Sequence, residues 1–137
     1  MTPVRGKTGR SVLSRQASPG SAVRRFNALV DHYYEKTFEM FPERGTSAGI
    51  HSLDPELSRP SPDLFGRHGR LVTRVMHAVE DLPLQEFGPS DLLNRRGFVA
   101  GLRQADLEVN ILKRWRDNPQ LHLQSVADSI YALVVRH

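Results

Sequence analysis

The stretch from Phe98 to Arg116 has the periodicity of a helix, yet apolar residues occupy more than half of its circumference. At about 100° per residue, Phe98, Leu102, Ala105, Val109 and Leu112 form one stripe. Leu93, Ala100, Leu107, Ile111 and Trp115 form a second stripe on the far side. Only a wedge holding Arg95, Arg96, Arg103, Asp106, Asn110, Lys113 and Arg114 is polar. A helix apolar on two sides belongs in the middle of a larger body. One stripe is enough to pack neighbouring helices, and few apolar residues remain to cover the other. The second stripe is therefore expected to lie exposed or loosely covered, which makes Leu93, Leu107, Ile111 and Trp115 the candidate interaction surface. Trp115 reads as an apolar anchor on that stripe, not as a stacking platform for a base or sugar.

The other segments are also helical. Ala22 to Phe41 carries Phe26, Leu29, Val30, Tyr33, Thr37 and Met40 at i, i+3, i+4, i+7 spacing, with Ser21 placed to cap the start and Pro42 to stop the helix. Pro42 to Ala48 suits a short second turn that Gly49 ends in a left-handed conformation. Ile50, Leu53 and Leu57 are expected to tack the following loop onto the core. Ser61-Pro62 opens the next helix, whose inner face is Leu64, His68, Leu71, Val72, Val75, Val79 and Leu82. Gly66 and Gly69 each weaken it by up to about 1 kcal/mol relative to Ala. Gly88-Pro89-Ser90 precedes the two-sided helix, expected from about Asp91 to Arg116. After Asp117-Asn118-Pro119, the residues Leu123, Val126, Ala127, Ile130, Leu133 and Val134 form the inner face of a last helix. With no alternating run and no internal repeat, the fold class is all-α: about four amphipathic helices in an incomplete bundle.

Charge divides the chain into two regions. Residues 1–30 hold six Lys and Arg and no acid, and the remaining thirteen cations are outnumbered by fifteen acids, so the net +4 belongs to the beginning. Residues 1–20, rich in Ser, Gly, Thr, Pro and Arg, read as a solvated disordered tail, and 21–137 as the helical domain. No apolar run reaches the roughly 7–15 residues of a secretory signal or the roughly 20 of a membrane span. With no Cys there is no sign of an oxidising compartment, so the cytoplasm is the expected location. The basic tail leaves weak nucleic-acid contact only as a third-ranked function.

No constellation carries chemistry. His32/Glu35 and His77/Glu80 pair at i, i+3, but each pair lies more than about 120° from its helix's apolar stripe and points to solvent. His51 and Asp54 lack a third ligand. There is no H-E-x-x-H, no Gly-rich phosphate loop and no G-x-S-x-G. Catalytic, cofactor-binding and metal-ligating residues are accordingly expected to number none.

One resemblance stands beside this reading. Phe26 and Leu29 near a helix start, then Phe41-Pro42-Glu43, Thr46, Gly49-Ile50-His51, Asp54 and Leu57, resemble the opening of the bacterial domain of unknown function 885 family. Trp115-Arg116-Asp117-Asn118-Pro119, leading into Ile130-Tyr131-Ala132-Leu133, is similar to that family's W-x-x-N-P element and the helix after it. Gly45 stands where the family usually has Ala, and Leu121-His122 where a Tyr commonly follows. Members are several hundred residues long and resemble zinc metallopeptidases of the H-E-x-x-H type. The resemblance implies a non-catalytic N-terminal helical scaffold, with zinc held only by the other half of the full-length relatives. The second stripe would then pack on that portion. The alternative is a complete small interaction module that self-associates or binds a partner through Leu107, Ile111 and Trp115.

Overall fold

The computed structural model describes residues 20–135, and for 121, 122, 125, 129, 132 and 133 the backbone alone. The expected basic tail therefore lies outside the described residues, apart from Gly20. The elements are α1 (Ser21–Met40), α2 (Pro42–Ser47), a 3-10 turn at His51–Leu53, α3 (Pro62–Glu80) and a second 3-10 turn at Leu84–Glu86. They continue as α4 (Pro89–Asp106), a π-helical turn at Leu107–Ile111, α5 (Arg114–Asp117) and α6 (Pro119–Val135). Among the described residues there is no strand, so the fold is all-α.

Local chemistry sets most of the helix ends. Proline at the first position of α2, α3 and α4 supplies the helical φ where no N–H partner is needed. Ser61 accepts a hydrogen bond from the Leu64 amide at 3.1 Å, capping α3. Gly49, at φ 93°, ends α2: its N–H donates to the Thr46 carbonyl and that of Ile50 to the Gly45 carbonyl, a Schellman closure. The start of α1 differs from the sequence expectation. Gly20 occupies the cap position, and the free amide of Ala22 donates instead to the Glu86 carboxylate at 2.9 Å, which also accepts from the Ser21 hydroxyl at 3.1 Å. A carboxylate from 64 residues away does what a local cap would do.

All seven residues expected on the inner face of α3 are buried, with Val72, Val75 and Val79 essentially inaccessible. On α1, Phe26, Tyr33 and Thr37 are buried and Leu29, Val30 and Met40 half-buried. Phe87, which the periodicity does not flag, packs edge-on against Phe26. Helix α3 packs against both α1 and α4, while α1 and α4 touch each other far less. The order is antiparallel twice over. The end of α1 meets the start of α3 through Phe41 and His68, and Arg95 of α4 donates to the Val79 carbonyl at the end of α3. Consequently α1 and α4 run in the same direction on either side of α3.

The expected helix from Asp91 to Arg116 is broken. Asn110 is the reason: its carboxamide donates to Asp106 at 2.7 Å and to the Gly69 carbonyl on α3 at 3.3 Å. Holding that side chain against α3 accompanies the wide π turn, closed by Leu112 N–H to the Leu107 carbonyl at 2.8 Å. Lys113 then takes a left-handed conformation, φ 47°, and restarts the chain as α5. The loop after α2 departs from expectation in part. Leu53 is half-buried over Gly45 as expected, but Ile50 and Leu57 are exposed, and the loop is also tied down by Ser58, which donates from both its hydroxyl and its amide to Glu43.

Gly69 thus has a structural reason that Gly66 lacks. A methyl at 69 would collide with the Asn110 carboxamide, whereas a methyl at 66 meets only the end of Arg70 at 3.5 Å. Gly66→Ala is expected to stabilise by up to about 1 kcal/mol through helix propensity. Gly69→Ala should destabilise despite the same propensity gain. Urea unfolding of the two variants checks this, and equal stabilisation by both would contradict the close approach.

Candidate docking surface

Two apolar features lie open on this scaffold. The first is α6. Asp128 is its one acid, and Gln120, His122, Gln124, Ser125 and Ser129 are its other polar residues; Leu123, Val126, Ile130 and Val134, expected on an inner face, are all exposed, as are Tyr131 and Val135. The correction has a plain cause: α6 packs against α2 and α5 at one end of the molecule and not along α1, α3 or α4, so no surface is offered to its long side. Leu133 falls among the residues whose side chains are not described.

The second feature is a groove of about 970 Å³ between α1 and α4, in which the Phe98 ring of α4 meets Phe26, Tyr33 and Tyr34 of α1 with centroids 5.9, 5.6 and 6.2 Å apart. Its α1 wall carries Phe26, Tyr33, Tyr34 and Phe38, and its α4 wall carries Leu93, Phe98, Gly97 and Gly101. Nothing lies within 4 Å of where a side chain would start on either glycine, so the α4 backbone is bare there. At one end Arg44 lies 4.6 Å over the Phe41 ring. Thr37, only 3% exposed, lines the groove with a hydroxyl that has no hydrogen-bond partner of good geometry.

The four residues singled out from the sequence separate into three places. Leu93, 70% exposed, stands on the wall of the groove. Leu107 and Ile111, 44% and 66% exposed, lie on the π turn beyond it. Trp115 is not continuous with them, because the break at Lys113 redirects the chain. Its ring is half-buried, stacked on Phe65 with centroids 5.1 Å apart and planes 9° apart, and its indole N–H donates to the Val109 carbonyl at 3.0 Å. Trp115 is thus an anchor of the α5 turn. The groove itself was not found from sequence, since each of its walls reads as the ordinary flank of an amphipathic helix. The nearest signal was Gly97 and Gly101 one turn apart beside Leu93.

Four residues of the polar wedge, Arg95, Arg103, Asp106 and Asn110, reach α3. Arg95 donates to the Val79 and Glu80 carbonyls, and Arg103 pairs with Glu80 at 2.9 Å. His32, Glu35, His77 and Glu80 are exposed, as their helical angles require, and His51 meets Asp54 at 3.2 Å on the surface. Among the described residues no group of three or more His, Cys, Asp or Glu converges, and no helix is long and apolar enough to cross a membrane. No family model, no curated protein and no solved structure matches the chain.

His68 is the one deeply buried titratable group that the groove does not expose. It is 1% exposed beside Phe41 and Tyr33, and neither ring nitrogen has a partner. Burial, helped by the Arg44 charge, pushes its pKa from 6.5 down to about 4. Its stability contribution is complete above the unfolded-state pKa. It is lost as pH falls toward the folded one, because only the unfolded chain takes up the proton between them. Roughly 2 kcal/mol should disappear between pH 7 and pH 4.5 from this group. His68→Leu removes two unsatisfied nitrogens at similar volume, so it should keep stability at pH 7 and flatten the acid limb. Urea unfolding across that range checks this; an unchanged acid limb in the variant would contradict it.

Proposed function

We propose that this chain is a non-catalytic helical scaffold that works by packing against further polypeptide. The observation that carries the reading is the apolar side of α6, where Leu123, Val126, Ile130, Tyr131, Val134 and Val135 are all exposed on one 17-residue helix. Scattered apolar residues on a surface need no explanation, but a whole helix of them marks an interaction site. Leu107 and Ile111 are exposed as well, on the π turn. Among the described residues no group of three or more His, Cys, Asp or Glu converges, which favours a packing role over bond-breaking chemistry.

The likeness of Phe41-Pro42-Glu43 and of Trp115 to Pro119 to the domain of unknown function 885 family gives the scaffold reading a specific form. In it, the packing partner is the metal-bearing half of a metallopeptidase-like protein, and any zinc is held there. A chain without Cys suits the reducing cytoplasm, where this reading places it.

Stability of charge substitutions decides whether α6 is a docking surface or part of a finished core. At concentrations where the chain is monomeric, Ile130→Lys and Leu123→Lys should each change the unfolding free energy by less than about 0.5 kcal/mol, as exposed substitutions do. A loss of several kcal/mol would mean that α6 is buried within its own monomer, because an unpaired ammonium must then be desolvated. That result would end the scaffold reading.

A further inference from the structure

The groove between α1 and α4 has one charged residue in its lining, Arg44, and no acid. Among the described residues no carboxylate lies within ion-pair distance of that guanidinium. We infer that the groove binds one long-chain monocarboxylic acid of the fatty-acid class, with its carboxylate on Arg44 and its chain laid along the aromatic walls. This goes beyond the scaffold reading, which rests on α6, and neither needs the other.

The two ends of the groove differ, and the difference gives the ligand a direction. Because α1 and α4 run the same way, Thr37, Arg44 and Gly101 mark one end, and the exposed amides of Asn27 and Asn94 mark the other. The Arg44 guanidinium lies 4.6 Å over the Phe41 ring, which holds it at the first end. Its charge is felt by the buried groups there. Burial raises the pKa of Tyr33 and the Arg44 charge opposes that rise, while burial lowers that of His68 and the same charge adds to the fall. A cation that faces buried neutral groups without a counter-ion is the complement of an anion, and the paired N–H donors of arginine match a planar carboxylate. Thr37, 3% exposed, lines this end with a hydroxyl that lies by the Tyr33 phenol without a hydrogen bond of good geometry. A carboxylate oxygen on Arg44 gives that hydroxyl an acceptor.

Between the ends the walls suit a hydrocarbon chain. The volume of about 970 Å³ lies at the upper end of the roughly 300–1,000 Å³ usual for small-molecule sites. From Phe26 to Phe38 the groove follows about 18 Å of α1 at 1.5 Å per residue. With C–C bonds of about 1.5 Å, an extended chain of about twelve carbons spans roughly 15 Å and so fits within that length. Gly97 and Gly101 leave open space above the α4 backbone, against which methylenes can lie. Midway along, Phe98 meets Phe26 and Tyr33 edge-on, with centroids 5.9 and 5.6 Å apart. That bridge interrupts the trench in which a docking helix would seat anchors at i, i+3, i+4 and i+7, whereas a flexible chain bends over it.

The probe is sodium dodecanoate below its micelle concentration, titrated calorimetrically into the full chain. One equivalent should bind. Dodecyltrimethylammonium, with the same chain and the opposite charge, should bind about tenfold more weakly or worse, and Arg44→Gln should weaken dodecanoate by a similar factor. Gly101→Leu fills open space in the groove from an exposed helical position, so it should keep the helicity of the chain and also weaken dodecanoate about tenfold or more. Ile130→Lys on α6 should leave binding within about threefold. No saturable binding of dodecanoate, or equal binding of the two head groups, overturns the inference. Binding that Ile130→Lys abolishes and Gly101→Leu leaves intact places the acid on α6 and overturns the groove assignment, while unfolding of the α6 variants still judges the scaffold reading by itself. If dodecanoate does not bind and Gly101→Leu instead turns a sedimenting oligomer into monomer, the groove is a polypeptide contact and the inference is equally overturned.

Discussion

Helix α3 buries Leu64, His68, Leu71, Val72, Val75 and Val79 on a face too wide for one neighbour, and the rest of the molecule is arranged by how that face is shared. α1 covers one side of it and α4 the other. Fully burying each of these aliphatic side chains stabilises the fold by roughly 1.5–3 kcal/mol, so the two flanking helices are held to α3 more firmly than to each other. The groove lies between them, bridged by Phe98 against Phe26, Tyr33 and Tyr34.

Polar contacts at the helix ends fix the neighbours in register. Glu86, in the 3-10 turn before α4, accepts from the Ala22 amide and the Ser21 hydroxyl of α1, and those hydrogen bonds hold its carboxyl below the usual carboxylate range, helped by Arg25 and Arg24. Arg95 satisfies carbonyls at the end of α3 that a helix otherwise leaves to solvent. At the opposite end Asn110 reaches the Gly69 carbonyl, and the cost of that contact is a π turn and a break in what would have been one long helix. The break turns α5 so that Trp115 stacks on Phe65, and α6 leaves in a direction set by this turn.

The helices themselves were legible because the α3 and α1 faces repeat at helical spacing and Pro or Gly punctuates each end. Gly49 at the end of α2 was readable for the same local reason, as was the outward direction of His32 and His77. The failures share a physical cause, namely dependence on contacts distant in sequence. Nothing near Ala22 announces that Glu86 will cap it, and nothing in Leu107 to Lys113 announces that Asn110 will pull the helix into a wider turn. Trp115 was assigned to a stripe that exists only if the helix is continuous. The residues of α6 were assigned an inner face because their spacing permits one, but periodicity says which residues share a side and not whether anything lies against it. The groove was invisible for the complementary reason, since it forms between two helices whose placement beside each other is set by α3 and written in neither of them.

The central physical claim is that α1, α3 and α4 form a self-sufficient core while α6 is covered only on association. Native-state amide hydrogen exchange of the dilute monomer tests this most directly. Amides of α3 should exchange at rates near the global unfolding limit. Those of α6 should exchange far faster. Protection of α6 equal to that of α3 in the monomer would mean that the chain covers this helix by itself, and the division into a closed core and an open docking helix would be wrong.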